Sequence, residues 1–215
     1  IAFGTNLYTY VVFVPGMSHT YSFFCFSLLV LLTDSLYKYR RGKNFYLIGI
    51  TLGLIGLVRI PNLVVVLIPL LWGVYNTETF TGRSKFLKAN FPGVIGGALC
   101  FMGVMMIQLG YWKYVTGSWI YNGYQNEGFI WTEPAIGRGL FSFYKGWFVY
   151  TPMAIFMVLG VYFMKYKFRQ HIPAMVLFFI LNLYIVFSWW NWWYVGGFSA
   201  RALIESLAIL AFPLA

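Results

Sequence analysis

The chain of 215 residues is 60% hydrophobic and 22% aromatic, and only 9% of its residues are charged. A water-soluble domain carries about 25% charged residues, so this composition excludes a soluble globular protein and indicates one surrounded by lipid. The net charge of +10 would suggest nucleic-acid binding in a soluble protein, but in a membrane protein a basic excess first reports orientation, so we expect no nucleic-acid partner.

Apolar runs separated by short polar breaks recur along the chain. In lipid the backbone has to satisfy its own hydrogen bonds, so these runs predict helices. We therefore expect an all-α fold: one polytopic transmembrane helix bundle over residues 1–215, with about seven to eight spans. The first residue is not Met and the last lies in an apolar run, which favours a piece of a longer protein. The expected segments are 1–14, 18–36, 45–58, 61–75, 91–111, 147–164, 172–189 and 202 onward.

Three short breaks, 37–44, 76–90 and 165–171, are strongly basic. Short loops rich in Lys and Arg stay in the cytoplasm, so all three are predicted to be cytoplasmic in a multi-pass protein. This assignment requires the chain to cross the membrane twice between residues 45 and 75. Pro61 offers a break, which predicts two short helices with Arg59 at a water-filled recess on the external side.

A long segment at 112–146 is then external, and it is rich in Trp, Tyr, Phe and Gly. Long loops in tightly connected bundles are commonly lids or binding elements. The cations outside the three basic breaks fall on this external side. They are Arg59, Lys113, Arg138, Lys145 and Arg201.

Cations near the outer leaflet suit a phosphate or pyrophosphate attached to a lipid, and Arg59, Arg138, Lys145 and Arg201 are the candidates. The alternative is that each reaches lipid headgroups or pairs locally. Arg201 has such a partner in Glu205, four residues later in an expected helix.

Glu127 and Glu133 are weak candidates for a catalytic base that deprotonates an acceptor, because loop carboxylates are usually solvated or paired. His19 lies at the outer end of a helix, where it either borders a ligand or occupies the interface. One imidazole without a cluster of further ligands predicts no metal site. No cofactor motif is evident, and a need for a divalent metal is left open.

Four Trp residues surround Asn191, where an interfacial belt is expected. Four such side chains in five positions cannot all face the headgroups from one helix, so some are expected to line a cavity. Trp190 and Trp193 are the candidates for stacking on a sugar ring.

Several stretches resemble polytopic glycosyltransferases of the GT-C superfamily, in particular bacterial family 39-like or dolichyl-phosphate-mannose-protein mannosyltransferase-like proteins. They are GTNLY at 4–8, MSHTYSF at 17–23, GLIGLVRIPN at 53–62, LFSFYKGWFVYTP at 140–152 and SWWNWWYVGGFSAR at 188–201.

The resemblance implies transfer of a sugar from a polyprenyl-phosphate donor to an acceptor on the external face, in a bacterial cytoplasmic (inner) membrane. It also implies that Arg59 and Arg201 bind the donor phosphate or line its cavity, that His19 borders that cavity, and that the catalytic acid lies before Ile1. An alternative function is a transporter or flippase of an anionic lipid-linked substrate.

Overall fold

The computed structural model describes residues 2–124 and 127–214. These residues form helices and no strand, and their only bridge is an isolated antiparallel pair, Phe129 with Trp189. The expected all-α class is confirmed. The α-helices of the described residues are α1 (Leu7–Val12), α2 (Ser18–Tyr39), α3 (Asn44–Val58), α4 (Leu67–Leu71), α5 (Thr77–Ala89), α6 (Phe91–Thr116), α7 (Ile136–Phe141), α8 (Trp147–Tyr150), α9 (Met153–Phe163), α10 (Ile172–Ser188) and α11 (Leu207–Leu210).

Short 3-10 helices occupy several connections. They are Ala2–Gly4, Ile60–Val66, Met164–Tyr166, Arg169–His171, Arg201–Leu203 and Phe212–Leu214.

Three helices of the described residues are long and apolar enough to cross a membrane: Ser18–Tyr39, Phe91–Thr116 and Arg169–Ser188. This is fewer than the seven to eight spans expected from the apolar runs. Three further apolar helices are shorter, namely Asn44–Val58, Ile60–Leu71 and Met153–Tyr166.

Fewer helices than expected are long enough to cross a membrane because irregular backbone interrupts several of the apolar runs. Arg59 is extended, with φ −158° and ψ 113°, so α3 ends at Val58 as the position of Pro61 predicted. Of the run at 1–14, only six residues form an α-helix, α1. The run from residue 202 is divided into two 3-10 helices and the four-residue α11.

Two connections differ from their expected form. The basic break 76–90 contains α5, which begins with a capping box between Asn76 and Thr79. The expected external loop at 112–146 starts later, because α6 continues to Thr116 and stops at Gly117 with φ +77°, a left-handed conformation that favours glycine. This loop also contains α7.

Helices α3 and α6 pack through small residues. A Cβ atom added to Gly49 would overlap the carbonyl oxygen of Gly97, and one added to Gly53 would lie 2.7 Å from Cβ of Val104. Such close backbone approach is typical of helices that pack within membranes. Gly97 is the buried residue of α6, whereas Leu99 and Ile107 are each 67% exposed, so α6 presents an apolar surface suited to lipid.

Helix α2 runs through the centre of the fold and buries Phe26 and Leu29 completely. Its 22 residues span about 33 Å at ~1.5 Å per residue. His19 lies in its first turn and Tyr37 in its last turn, which places the two side chains roughly 27 Å apart along the axis. The surroundings of His19 and Tyr37 therefore lie at opposite ends of the molecule.

The three basic segments meet near the end of α2 that carries Tyr37. The guanidinium of Arg83, from α5, lies 3.2 Å from the centroid of the Tyr37 ring. Trp72 stacks on His171 of the third basic segment, with centroids 4.2 Å apart. Trp72 also donates its Nε1–H to Oδ1 of Asp34 at 3.3 Å. Segments far apart in the sequence thus share one end of the fold.

Candidate functional site

A polar cluster lies near the opposite end of α2, around the carboxylate of Glu205. This side chain is 0% exposed, yet it has three polar neighbours from distant parts of the chain. Its Oε2 lies 3.1 Å from Nδ1 of His19, and its Oε1 lies 3.8 Å from Nη1 of Arg59. Asn62 donates its Nδ2–H to Oε1 at 2.9 Å. A buried carboxylate is tolerated when it is paired and hydrogen-bonded in this way.

The imidazole of His19 lies between Arg59 and Glu205. Nη1 of Arg59 is 3.1 Å from Nδ1 and 3.2 Å from Nε2 of the ring. An imidazole with its proton on Nδ1 donates to Glu205 and leaves Nε2 as an acceptor for Arg59, so one tautomer satisfies both neighbours. His19 is only 4% exposed, so its ring is buried within this cluster.

The helix break at Arg59 is what brings these groups together. Because Arg59 is extended at the end of α3, its side chain reaches His19 while Asn62, in the next 3-10 helix, faces Glu205. Nδ2 of Asn62 also donates to Oγ of Ser22 at 3.1 Å. The side chain of Arg59 remains 21% exposed, so this cation reaches the surface of an otherwise buried cluster.

Arg201 does not form the ion pair with Glu205 that was the alternative to phosphate binding: in the described residues the carboxylate pairs with His19 and Arg59. The reason is local geometry. Residues 201–203 form a 3-10 helix followed by a turn. With three residues per turn, position i+4 is rotated about 120° from position i, whereas in an α-helix the two share a face.

Arg201 instead lies against the loop at 194–200. Its guanidinium is 5.8 Å from the centroid of the Tyr194 ring. A Cβ atom on Gly197 would lie 2.9 Å from Cδ of Arg201 and 2.9 Å from Oη of Tyr10, so the loop fits tightly between these side chains. Nε of Arg201 is buried without a hydrogen-bond partner in the described residues.

Lys145 contacts the same loop, donating its Nζ–H to the carbonyl oxygen of Gly197. Burial, together with the positive charge of Arg201, lowers the pKa of Lys145. Two cations that affect each other in this way lie close together, although 56 positions separate them in the sequence. An anion placed between them would relieve their repulsion.

Tyr194 connects this pair of cations to Arg59. Burial raises the pKa of its phenol to about 12, while hydrogen bonding and charge from Arg59, and the charge of Arg201, act in the opposite direction. Its hydroxyl also donates to the carbonyl oxygen of Val186 at 3.0 Å. The phenol thus lies among the cations and is held in its neutral form.

The loop itself has an unusual backbone. Tyr194, Gly196 and Ser199 have φ angles of 48°, 75° and 56°, and a left-handed conformation costs energy at the two non-glycine positions. Neighbouring side chains hold this shape. The hydroxyl of Tyr10 accepts from the N–H of Phe198 at 2.7 Å and donates to its carbonyl oxygen at 3.1 Å. Such strained backbone is found where a site requires one particular geometry.

The other candidates are not joined to this cluster by the contacts of the described residues. Arg138 is exposed and lies over the ring of Trp192, at 5.4 Å from its centroid. Glu127 and Glu133 are exposed and form no ion pair in the part of the chain described.

Trp190 and Trp193 lie edge to face, with centroids 6.4 Å apart, in the same loop as Tyr194. Trp190 is 41% exposed and Trp193 is half-buried, so the pair retains accessible aromatic surface. Among residues 2–124 and 127–214, no three His, Cys, Asp or Glu side chains gather in a way that would hold a metal ion.

Sequence reasoning missed the central role of Glu205 and the participation of Tyr10, Asn62 and Tyr194. One signal was available for Glu205: it is a lone carboxylate within an apolar run, and such residues in membrane proteins face a partner or a site. The partners of Glu205 come from α2 and from the break after α3, and no local spacing identifies them.

Comparisons with protein-family models, with curated proteins and with solved structures found no match for this chain.

Proposed function

We propose that the protein is a membrane glycosyltransferase that binds a polyprenyl-phosphate sugar at the cluster of Arg59, Arg201 and Lys145. The observation that carries the proposal is the placement of these three cations around one strained loop, while Glu205 pairs with Arg59 alone among them in the described residues. The cluster therefore has an excess of positive charge. The sequence resemblance to the GT-C superfamily adds the reaction class.

The chemistry suits these groups. In the donor, the phosphate is a diester with one negative charge; the bond between the anomeric carbon and a phosphate oxygen breaks, and a bond from the same carbon to the acceptor oxygen or nitrogen forms. The departing polyprenyl phosphate gains negative charge, and the acceptor loses a proton to a base. Arg59, Arg201 and Lys145 would stabilise the departing phosphate, because fixed cations act most strongly where charge develops.

Glu205 has a positioning role in this proposal. Its oxygens are occupied by His19, Arg59 and Asn62 and it is fully buried, so it is not the base that takes the acceptor proton. Trp190 and Trp193 would offer accessible aromatic surface to the sugar ring, next to Tyr194 in the same loop.

The proposal includes a topology. The basic segments 37–44, 76–90 and 165–171 would face the cytoplasm, and the cation cluster would face the outside of a bacterial inner membrane that the chain crosses several times. Two contacts support one shared face for the basic segments: Arg83 lies on Tyr37, and Trp72 stacks on His171. The cation cluster lies at the other end of α2.

Reconstitution of the full chain in liposomes tests the proposal. Radiolabelled polyprenyl-phosphate sugars should release polyprenyl phosphate only when an acceptor is present. The R59A and R201A variants should reduce this release by at least about tenfold, since each removes a charge-assisted contact worth roughly 1.5–3 kcal/mol. Lys113→Gln removes an exposed cation on the same side and should leave release unchanged.

Transport of the intact donor across the liposome membrane, without acceptor-dependent release, would overturn the proposal in favour of a flippase. Equal donor affinity in the parent chain, R59A and R201A would show that these two arginines do not bind the donor phosphate.

A further inference from the structure

A second candidate site lies at the end of α2 that carries Tyr37, where an apolar cavity of about 430 Å³ opens beside the basic segments. Its volume lies within the range of ~300–1,000 Å³ that is common for sites of small ligands. The lining is almost wholly apolar. Helices α2, α3, α5 and α6 and the 3-10 helix Ile60–Val66 contribute Tyr37, Phe45, Leu52, Leu63, Leu87 and Ala98.

Cations cover the aromatic wall of this cavity. The guanidinium of Arg83 lies 3.2 Å from the centroid of the Tyr37 ring, which is itself part of the lining. The guanidinium of Arg40 lies 4.4 Å from the centroid of the Phe86 ring, and Phe86 packs between the rings of Tyr37 and Phe45 at 5.5 Å and 6.1 Å. Arg83 is therefore separated from the cavity by the ring of Tyr37, and Arg40 by the ring of Phe86 and the lining rings against which it packs.

Arg83 has unused capacity for hydrogen bonding. Its Nη2–H donates to the carbonyl oxygen of Trp72, but its Nε and Nη1 are buried without a partner in the described residues. Nδ1 of His171, which stacks on Trp72, is likewise buried and unpartnered. Buried donors are rarely left unpaired, and a guanidinium fits two phosphate oxygens at once.

Arg40 is held in position at a cost in backbone energy. It follows the last residue of α2 with φ 53° and ψ 34°, a left-handed conformation in which glycine is usual and arginine is rare. Asp34 and Glu78 are the acids of this region; Asp34 accepts from Trp72, and neither pairs with Arg40 or Arg83 in the described residues. The cations at the cavity thus have no carboxylate partner within the described residues.

We propose that this cavity binds an anionic phospholipid of the leaflet that the basic segments face, with its acyl chain in the cavity and its phosphate on Arg83 and Arg40. The apolar lining suits the chain and the unpaired guanidinium donors suit the headgroup. Basic residues beside apolar clefts at a membrane surface recognise anionic lipids on this principle. The site is about the length of α2 away from the Arg59 cluster, and it does not depend on the activity proposed there.

Native mass spectrometry of the full chain in detergent tests the proposal, with phosphatidylglycerol and phosphatidylcholine of identical acyl chains as probes. Phosphatidylglycerol should bind more tightly, and R40Q/R83Q should weaken its binding by about thirtyfold, since each basic residue near the membrane surface contributes a factor of about five. The matched double variant K165Q/K167Q removes two cations from the third basic segment and should retain the preference.

A second variant leaves every charge in place. Ala98→Phe fills the cavity from α6 and should weaken the binding of both phospholipids. Three results would each overturn the proposal: equal binding of the two lipids by the parent chain, the same loss in K165Q/K167Q as in R40Q/R83Q, or displacement of phosphatidylglycerol by an equal concentration of inorganic phosphate or of polyprenyl phosphate.

Discussion

Oε2 of Glu205 lies 3.1 Å from Nδ1 of His19, and 186 positions of sequence separate the two residues. This contact joins the first turn of α2 to the segment that follows the strained loop at 194–200. Arg59 completes the group by approaching both side chains. The candidate phosphate site is thus attached to the centre of the fold through a buried ion pair.

Replacing Glu205 with Gln should lower the free energy of unfolding by about 3 kcal/mol, because removing one member of a buried ion pair leaves Arg59 without its counter-charge. Unfolding in mixed detergent micelles measures this change. Glu133→Gln makes the same chemical change at an exposed position and should alter stability by less than about 0.5 kcal/mol. Similar losses in the two variants would contradict a special role for Glu205.

Tyr10→Phe should loosen the loop at 194–200 and reduce stability by about 1–2 kcal/mol. The change removes the hydroxyl that pairs with both the N–H and the carbonyl oxygen of Phe198. Tyr8→Phe, on the same helix but exposed, is the matched control. Proteolysis of the loop, followed over time in detergent, reports the loosening; equal rates in the two variants would argue that another contact holds the loop.

Gly197→Ala should weaken donor binding by roughly tenfold, since its Cβ atom would lie 2.9 Å from Cδ of Arg201 and force that side chain to move. The measurement is a titration with the polyprenyl-phosphate sugar, followed by intrinsic fluorescence. Gly137→Ala adds a methyl group where no atom lies within 4 Å and should bind normally. Unchanged binding in G197A would show that the position of Arg201 is not critical.

Donor binding should weaken at alkaline pH, and it should begin to do so below the usual pKa of a lysine. Burial and the charge of Arg201 lower the pKa of Lys145, so its ammonium group loses its proton at a lower pH than that of an exposed lysine. Lys145→Arg stays charged throughout and should flatten this part of the profile. If donor binding by the parent chain and by K145R depends on pH in the same way, a group other than Lys145 is responsible for the pH dependence.

Gly49→Ala should destabilise the contact between α3 and α6 by about 1–3 kcal/mol, because the added methyl group would overlap the backbone of Gly97. Gly103→Ala places a methyl group on α6 where nothing lies within 4 Å, and it should be neutral or slightly stabilising. Thermal unfolding in detergent compares the two. A smaller loss of stability for G49A than for G103A would contradict a tight contact between α3 and α6 at Gly49.

The helical class and the break at Arg59 were predictable because they depend on short stretches of sequence. Apolar runs require helices in lipid, and Pro61 lacks the backbone N–H that would continue the α-helix by bonding to the carbonyl oxygen of Leu57. The number of spans was overestimated for a related reason: hydropathy detects apolar runs, but it does not show that the run from residue 202 divides into two 3-10 helices and α11.

The candidate site was only partly predictable. Positive charge outside the three basic segments identified Arg59, Lys145 and Arg201, but the alternative that Arg201 pairs with Glu205 was wrong, because it assumed an α-helix where the chain forms a 3-10 helix and a turn. Glu127 and Glu133 were considered for their chemistry alone, and the structure leaves both exposed.

The sequence by itself determined that the chain is helical and suited to lipid, and that its cations divide into three basic segments and a remainder. These properties follow from composition and from neighbours along the chain. Only the tertiary structure decided which side chains pair with Glu205, because its contacts with His19 and Asn62 span 186 and 143 positions of sequence. These contacts are needed because Glu205 is buried: a charge removed from water requires partners within the fold, and those partners can come from any part of the sequence.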